Sequence, residues 1–230
     1  MAIFAISDLH LSFNADKPMD VFGDKWSNYT EKLKENWNKV VGNSYTVIIP
    51  GDTSWAMYID DALEDFEYIN SLNGRKIILK GNHDYWWTTS AKTTRFFEEN
   101  GINTIDILHN NSFSYGGIGI CGTRGWFFEE CRDSEHDKKM INREVMRLEA
   151  SLVSAGDREK YVFLHYPPKF YNYECPEILA LLAKYEVSHC FYGHIHGTGC
   201  AFAFNGRKNN TDFALISADH LNFRPKKLID

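Results

Sequence analysis

The stretch "IILKGNHDYWW", residues 77–87, decides how the chain is read. Ile77, Ile78 and Leu79 form an apolar run that reads as a buried strand and stops at Gly81. Straight after it come an amide, an imidazole and a carboxylate, Asn82, His83 and Asp84, and then three aromatic residues. Gly-Asn is ordinary turn chemistry. The loop after a buried strand is also where α/β proteins carry their reactive groups. The rest of the chain decides between these readings.

Outward from this strand, the elements alternate. Strands are expected at 2–7, 45–50 and 76–80, with helices between them at 28–41 and 60–72. Tyr29, Leu33, Trp37 and Val40, like Leu63, Phe66, Ile69 and Leu72, recur at helical spacing. A helix at 90–99 and short strands at 103–108, 112–115 and 117–121 follow. A polar loop at 127–139 leads to a helix at 140–154, then a strand at 161–165, a helix at 176–184 and a strand at 189–193. Strands at 199–204 and 212–216 close the chain. Early β-α-β units and later strand-rich segments predict a mixed α/β sandwich in one domain, 1–230.

A net charge of −6 argues against a surface built to hold a nucleic-acid backbone, so no stable nucleic-acid binding is expected. No stretch is long and apolar enough to span a bilayer, and the six apolar residues before Asp8 are too few for a signal-peptide core. The expected compartment is the cytoplasm. Five cysteines without a C-x-x-C pair read as free, mostly buried thiols.

The pattern at Gly81 recurs at other strand ends. Asp8 and His10 follow the first strand, and Asp52 the second. His165 ends "YVFLH", and His194 and His196 lie in "YGHIHG". Residues two apart in extended backbone point to one side, so each D-x-H or H-x-H pair is expected to aim two donors into a common space. In a parallel sheet these strand ends share one edge. Five histidines, two aspartates and an asparagine are too many for one tetrahedral ion and suit two. Asp52, alone on its loop, is the natural bridge. A nitrogen and oxygen donor set without thiolate suits Mn²⁺, Fe²⁺, Zn²⁺ or Ni²⁺ rather than Mg²⁺.

"DLH", "GD", "GNHD", a histidine after a strand and "GHIH" occur in this order from Asp8 to His196. On these blocks the chain closely resembles the calcineurin-like metallophosphoesterase superfamily. The resemblance implies a four-layer αββα sandwich of two mixed sheets flanked by helices, with a dinuclear centre at the strand ends. It implies Asp8, His10, Asp52 and His196 around one metal, and Asp52, Asn82, His165 and His194 around the other. His83 is then the unligated catalytic imidazole, with Asp84 orienting it, and a metal-held hydroxide attacks the phosphorus of a phosphate mono- or diester. Where many members carry Asp three residues after the GD, this chain has Trp55, a position that is not a ligand in the family pattern.

Arg124 in "GTRGW" follows a strand and is a candidate for a phosphate oxygen. Tyr85, Trp86, Trp87, Trp126, Phe127, Phe128 and Trp55 flank the strand-end clusters, and Trp86 is the expected stacking surface for an aromatic or nucleoside group on the substrate. A catalytically inactive scaffold of the same fold, like a retromer subunit, predicts altered ligands, whereas every ligand position and His83 are present here. A nuclease is disfavoured by the acidic balance. The extended features of a phosphoprotein phosphatase are not evident.

Overall fold

The computed structural model describes residues 2–127 and 135–229. The chain separates into two compact units, Met1–Ile107 with Ile216–Asp230, and Leu108–Leu215. The first runs β1 (Ile3–Ala5), α1 (Tyr29–Val40), β2 (Thr46–Pro50), α2 (Leu63–Ser71), β3 (Arg75–Leu79), α3 (Ser90–Glu99) and β4 (Ile105–Ile107). The second runs β5 (Phe113–Tyr115), β6 (Ile118–Thr123), α4 (Glu135–Ser154), β7 (Glu159–Leu164), a small hairpin of β8 (Lys169–Phe170) and β9 (Tyr173–Glu174), α5 (Pro176–Lys184), β10 (His189–Tyr192), β11 (Gly206–Lys208) and β12 (Thr211–Leu215). The chain then returns to the first unit as β13 (Lys226–Ile229).

Each unit is built on one mixed sheet flanked by helices. The first sheet has the order β13-β1-β2-β3-β4, with β1 to β4 parallel and β13 antiparallel to β1. Phe4, Val47, Ile49 and Ile78 point to the face on which Leu33 and Trp37 of α1, Phe66 of α2 and Phe97 of α3 pack. The second sheet has the order β11-β12-β10-β7-β6-β5, with the antiparallel strands at its edges. There α4 and α5 cover Cys121, Val162, Leu164 and Cys190. Parallel strands end on one edge of their sheet, which is why strand-end residues distant in sequence gather within each unit.

Several expected boundaries shift. The helix expected from 140 begins at Glu135, whose first turn carries Glu135 and Asp137 against the positive helix end. The strand expected at 199–204 is a 3₁₀ segment, Gly197–Phe202, which opens on a left-handed Gly197 (φ 55°). The strand that does form beside β12 is β11, joined through Asn209 and Asn210, both left-handed (φ 50° and 66°) as a tight primed hairpin turn requires. The final strand β13, charged and at the sheet edge, escapes a pattern based on apolar runs. No described helix is long and apolar enough to cross a membrane. Cys121, Cys175 and Cys190 are buried free thiols and Cys200 is half-buried, while Cys131 and Phe128 lie outside the described residues.

Lys76 opens the apolar part of β3, yet its ammonium turns back to cap α2, donating to the carbonyls of Leu72 (2.7 Å) and Gly74 (2.8 Å). Those carbonyls lie at and just beyond the negative end of the helix. Burial pushes the Lys76 pKa down to about 8 from 10.5. Between these values the unfolded chain binds more protons than the folded one, so this group makes stability rise with pH. Its penalty is complete below pH 8 and vanishes above 10.5. Relative to Lys76→Met, the wild type should gain up to about 3 kcal/mol across that window, by urea unfolding at each pH. Parallel stability curves would refute it.

Candidate functional site

In the first unit the chain leaves β1 through Ser7, whose backbone pairs with Ile216 and Ala218. It then turns left-handed at Asp8 (φ 62°) and again at His10 (φ 47°). The His10 N–H donates to the Asp52 carbonyl (2.9 Å), and the Tyr29 hydroxyl donates to the His10 carbonyl (2.7 Å). Asp52, just beyond β2, is left-handed as well (φ 50°). Such backbone costs an L-residue roughly 1–2 kcal/mol and persists where the surroundings impose it, commonly at functional sites. The strands thus end before the ligand-type residues. Turns, rather than the extended alternation expected from D-x-H, set the directions of Asp8 and His10.

Asp8, His10 and Asp52 are all buried. One Asp52 oxygen accepts the backbone N–H of His83 at 2.8 Å, and the other lies 3.8 Å from His10 Nε2. Gly81 makes this approach possible, because a Cβ there would sit 2.1 Å from the Asp52 Oδ1. Asn82 and His83 are half-buried on the same loop.

Asp84 departs from its expected role. Its fully buried carboxylate accepts the backbone N–H groups of Asp52 (2.9 Å), Thr53 (2.8 Å), Ser54 (3.3 Å) and Gly81 (2.7 Å), and the Trp86 indole N–H (2.9 Å). It clamps the loop after β2 to the loop after β3 and makes no hydrogen bond to His83. Burial pushes its pKa up, and the N–H donors, which favour the ionised form, oppose that shift. With donors on both oxygens a carboxyl proton would face an N–H, an arrangement that favours the ionised form. The partner found at His83 Nδ1 is the Tyr85 hydroxyl, 3.3 Å away.

Trp86 is not a stacking surface. It is 1% exposed, with its N–H on Asp84 and its ring edge-on to Phe66 at 4.8 Å. A ring that lies beside both imidazoles of this unit is that of the half-buried Trp55, 4.9 Å from His10 and 4.3 Å from His83 between centroids.

In the second unit, His165 follows β7 and is buried, while His194 and His196 follow β10 and are half-buried. His194 is left-handed (φ 70°), so this pair also is not extended. The His165 and His194 rings meet edge to face at 5.2 Å. Tyr166 lies 4.6 Å from His194 and Phe127 5.8 Å, a ring cluster beside the ligand-type histidines. Tyr166 was not singled out in the sequence, although its place next to His165 was a signal. The backbone carbonyl of Arg124 accepts the N–H of Tyr166 (2.8 Å), and its guanidinium lies over Trp126 at 5.2 Å. The Arg124 Nε is buried with no hydrogen-bond partner among the described residues. His189 packs between Tyr161 (4.4 Å) and Phe191 (5.9 Å) in its own sheet. Burial pushes the thiols of Cys121 and Cys175 up to about 11, so neither is an activated nucleophile.

The profile of the calcineurin-like phosphoesterases matches residues 1–198, and the chain belongs to that family. An uncharacterised protein of Methanocaldococcus jannaschii is 31% identical over 116 residues, 49% of this chain and 61% of that relative. The chain therefore matches less than two thirds of the relative's length. Among crystal structures, a protein of unknown function from Aquifex aeolicus superposes with a TM-score of 0.56 at 17% identity, covering 98% of this chain and 95% of that one. A phosphopantetheinyl hydrolase from Mycobacterium tuberculosis does so with a TM-score of 0.54 at 13% identity, covering 99% and 95%. At such identities the likeness is one of fold. The family is one of phosphoesterases, and the ligand-type residues of the two units are of the kinds that hold divalent metals.

Proposed function

We propose that the two units act as one domain that hydrolyses phosphate mono- or diesters at a dinuclear metal centre. The observation that carries this reading is that, within each unit of a phosphoesterase-family chain, buried and half-buried ligand-type side chains follow parallel strand ends, four of them in all on left-handed backbone. Asp8, His10, Asp52 and His196 would hold one ion, and Asp52, Asn82, His165 and His194 the other. The donor set is nitrogen and oxygen without thiolate, which fits Mn²⁺, Fe²⁺, Zn²⁺ or Ni²⁺. Such ions supply Lewis-acid stabilisation of phosphoryl oxygens and lower the pKa of water.

The chain's own groups do the rest. His83, anchored through its backbone to Asp52, holds a proton for the departing oxygen. Arg124, whose buried Nε has no hydrogen-bond partner among the described residues, would bind a phosphoryl oxygen. Phe127, half-buried beside His194, offers a ring for an aryl or nucleoside group.

The test is a phosphoester panel on protein stripped by chelator and reloaded with each metal in turn. Stripped protein should be inactive, with activity restored by about two ions per chain. Aryl and nucleoside esters should exceed aliphatic esters of similar leaving-group acidity in kcat/KM. Two bound ions with no hydrolysis of any ester would point instead to an inactive scaffold.

A further inference from the structure

We propose that Trp55 is a positioning residue for His83, fixing its imidazole in the orientation that delivers a proton to the leaving group. The inference rests on the reading of His83 as general acid.

The indole lies within ring contact of two imidazoles at once. It is near-parallel to His10 (4.9 Å, 23°) and inclined to His83 (4.3 Å, 44°), while the two imidazoles are 5.9 Å apart. Trp55 itself has little freedom. Its N–H donates to the Leu11 carbonyl at 2.9 Å, and the preceding N–H, that of Ser54, belongs to the Asp84 clamp. The Ser54 hydroxyl reaches Asp65 on α2 and accepts the N–H of Ala56 (3.1 Å), which pins the residue on the other side. The indole N–H points at the Met19 sulfur (3.2 Å), and the Lys17 ammonium lies 5.1 Å from the ring centre.

His83 is differently placed. It sits half-buried on the loop after β3, and its backbone is held by Asp52. Its ring has the Tyr85 hydroxyl at Nδ1 and the indole as a neighbouring wall. Asp84, the residue expected to orient it, is committed to the loop clamp. A flat wall at 4.3 Å removes rotamers that swing the imidazole toward Trp55, so the cost of finding the productive orientation is met before substrate binds.

The experiment compares Trp55→Leu, Trp55→Phe and His83→Ala, alone and combined, as metal-loaded protein. Substrates are a p-nitrophenyl ester, whose leaving group needs no acid, and a matched alkyl ester, whose leaving group does. His83→Ala should lose about 10²–10⁴-fold in kcat on the alkyl ester and far less on the nitrophenyl ester. Trp55→Leu should show the same selectivity with a loss of about 10–100-fold, Trp55→Phe should recover most of it, and Trp55→Leu should add nothing in the His83→Ala background. Without metal, the His83 ring protons should carry an upfield ring-current shift in NMR that Trp55→Leu removes and Trp55→Phe partly keeps.

Equal losses on both esters, additivity with His83→Ala, or loss of bound metal in Trp55→Leu would overturn the proposal, the last by assigning Trp55 to His10. An unshifted His83 resonance in the wild type would overturn it whether or not the variants fold. If His83→Ala shows no leaving-group dependence, the general-acid reading fails and this inference with it. If His83→Ala behaves as expected and Trp55→Leu does not, only the inference fails.

Discussion

Asp52→Asn should leave a folded protein that retains neither metal ion and hydrolyses phosphate esters at least about 10²-fold more slowly. The amide keeps an oxygen for the His83 N–H, 2.8 Å from Asp52 Oδ1 in the wild type, so the loop after β3 stays anchored. What it cannot keep is the second oxygen, 3.8 Å from His10 Nε2, which becomes an NH₂ pointing its hydrogens where a cation would sit. A shared carboxylate is also what would neutralise two adjacent cations, so its loss should empty both positions together. Metal stoichiometry on the purified variant decides the matter, with the melting temperature of metal-free wild type as the control for folding. Two ions per chain and normal turnover in Asp52→Asn would end the bridging assignment.

Asp84→Ala should be close to unfolded at 25 °C. Five buried N–H donors converge on this one carboxylate, from Asp52, Thr53, Ser54, Gly81 and the Trp86 ring. A buried donor left without an acceptor costs about 1–3 kcal/mol, and five together rival the whole stability of an ordinary domain. Asp84→Asn, which has one oxygen to offer and sets an NH₂ against the remaining donors, should fold but lose about 2–4 kcal/mol in urea unfolding. A well-folded Asp84→Ala, or an Asp84→Asn within experimental error of wild type, would show that water replaces the carboxylate and that the clamp is dispensable.

These substitutions mark where the reading of the sequence stops. The alternation of strands and helices was legible because hydrophobic periodicity is a property of short windows. Ser90–Glu99 and Pro176–Lys184 form over the residues expected, and β1, β2, β3, β7 and β10 all end just before a ligand-type cluster. The candidate ligands were legible for the same reason, since each cluster is one to three residues long and directly follows an apolar run. The edge strand β13 was not, because two of its four residues are lysines and only its pairing with β1 makes it a strand.

Within the site, the tertiary structure decided which side chain does what. Asp84 follows His83 directly, yet its partners include Asp52, Thr53 and Ser54, some thirty residues earlier in the chain. Trp55, Trp86 and Trp87 look alike as letters, but Trp86 is in the core, edge-on to Phe66, while Trp55 lies against His10 and His83. The left-handed turns at Asp8, His10, Asp52 and His194 occur at residue types that do not demand them. Residue type and local spacing determine which chemistry a chain can offer at its strand ends. Which donor meets which acceptor, and which ring is buried, depends on the loops that the parallel strands bring side by side, and those pairings have no local signature.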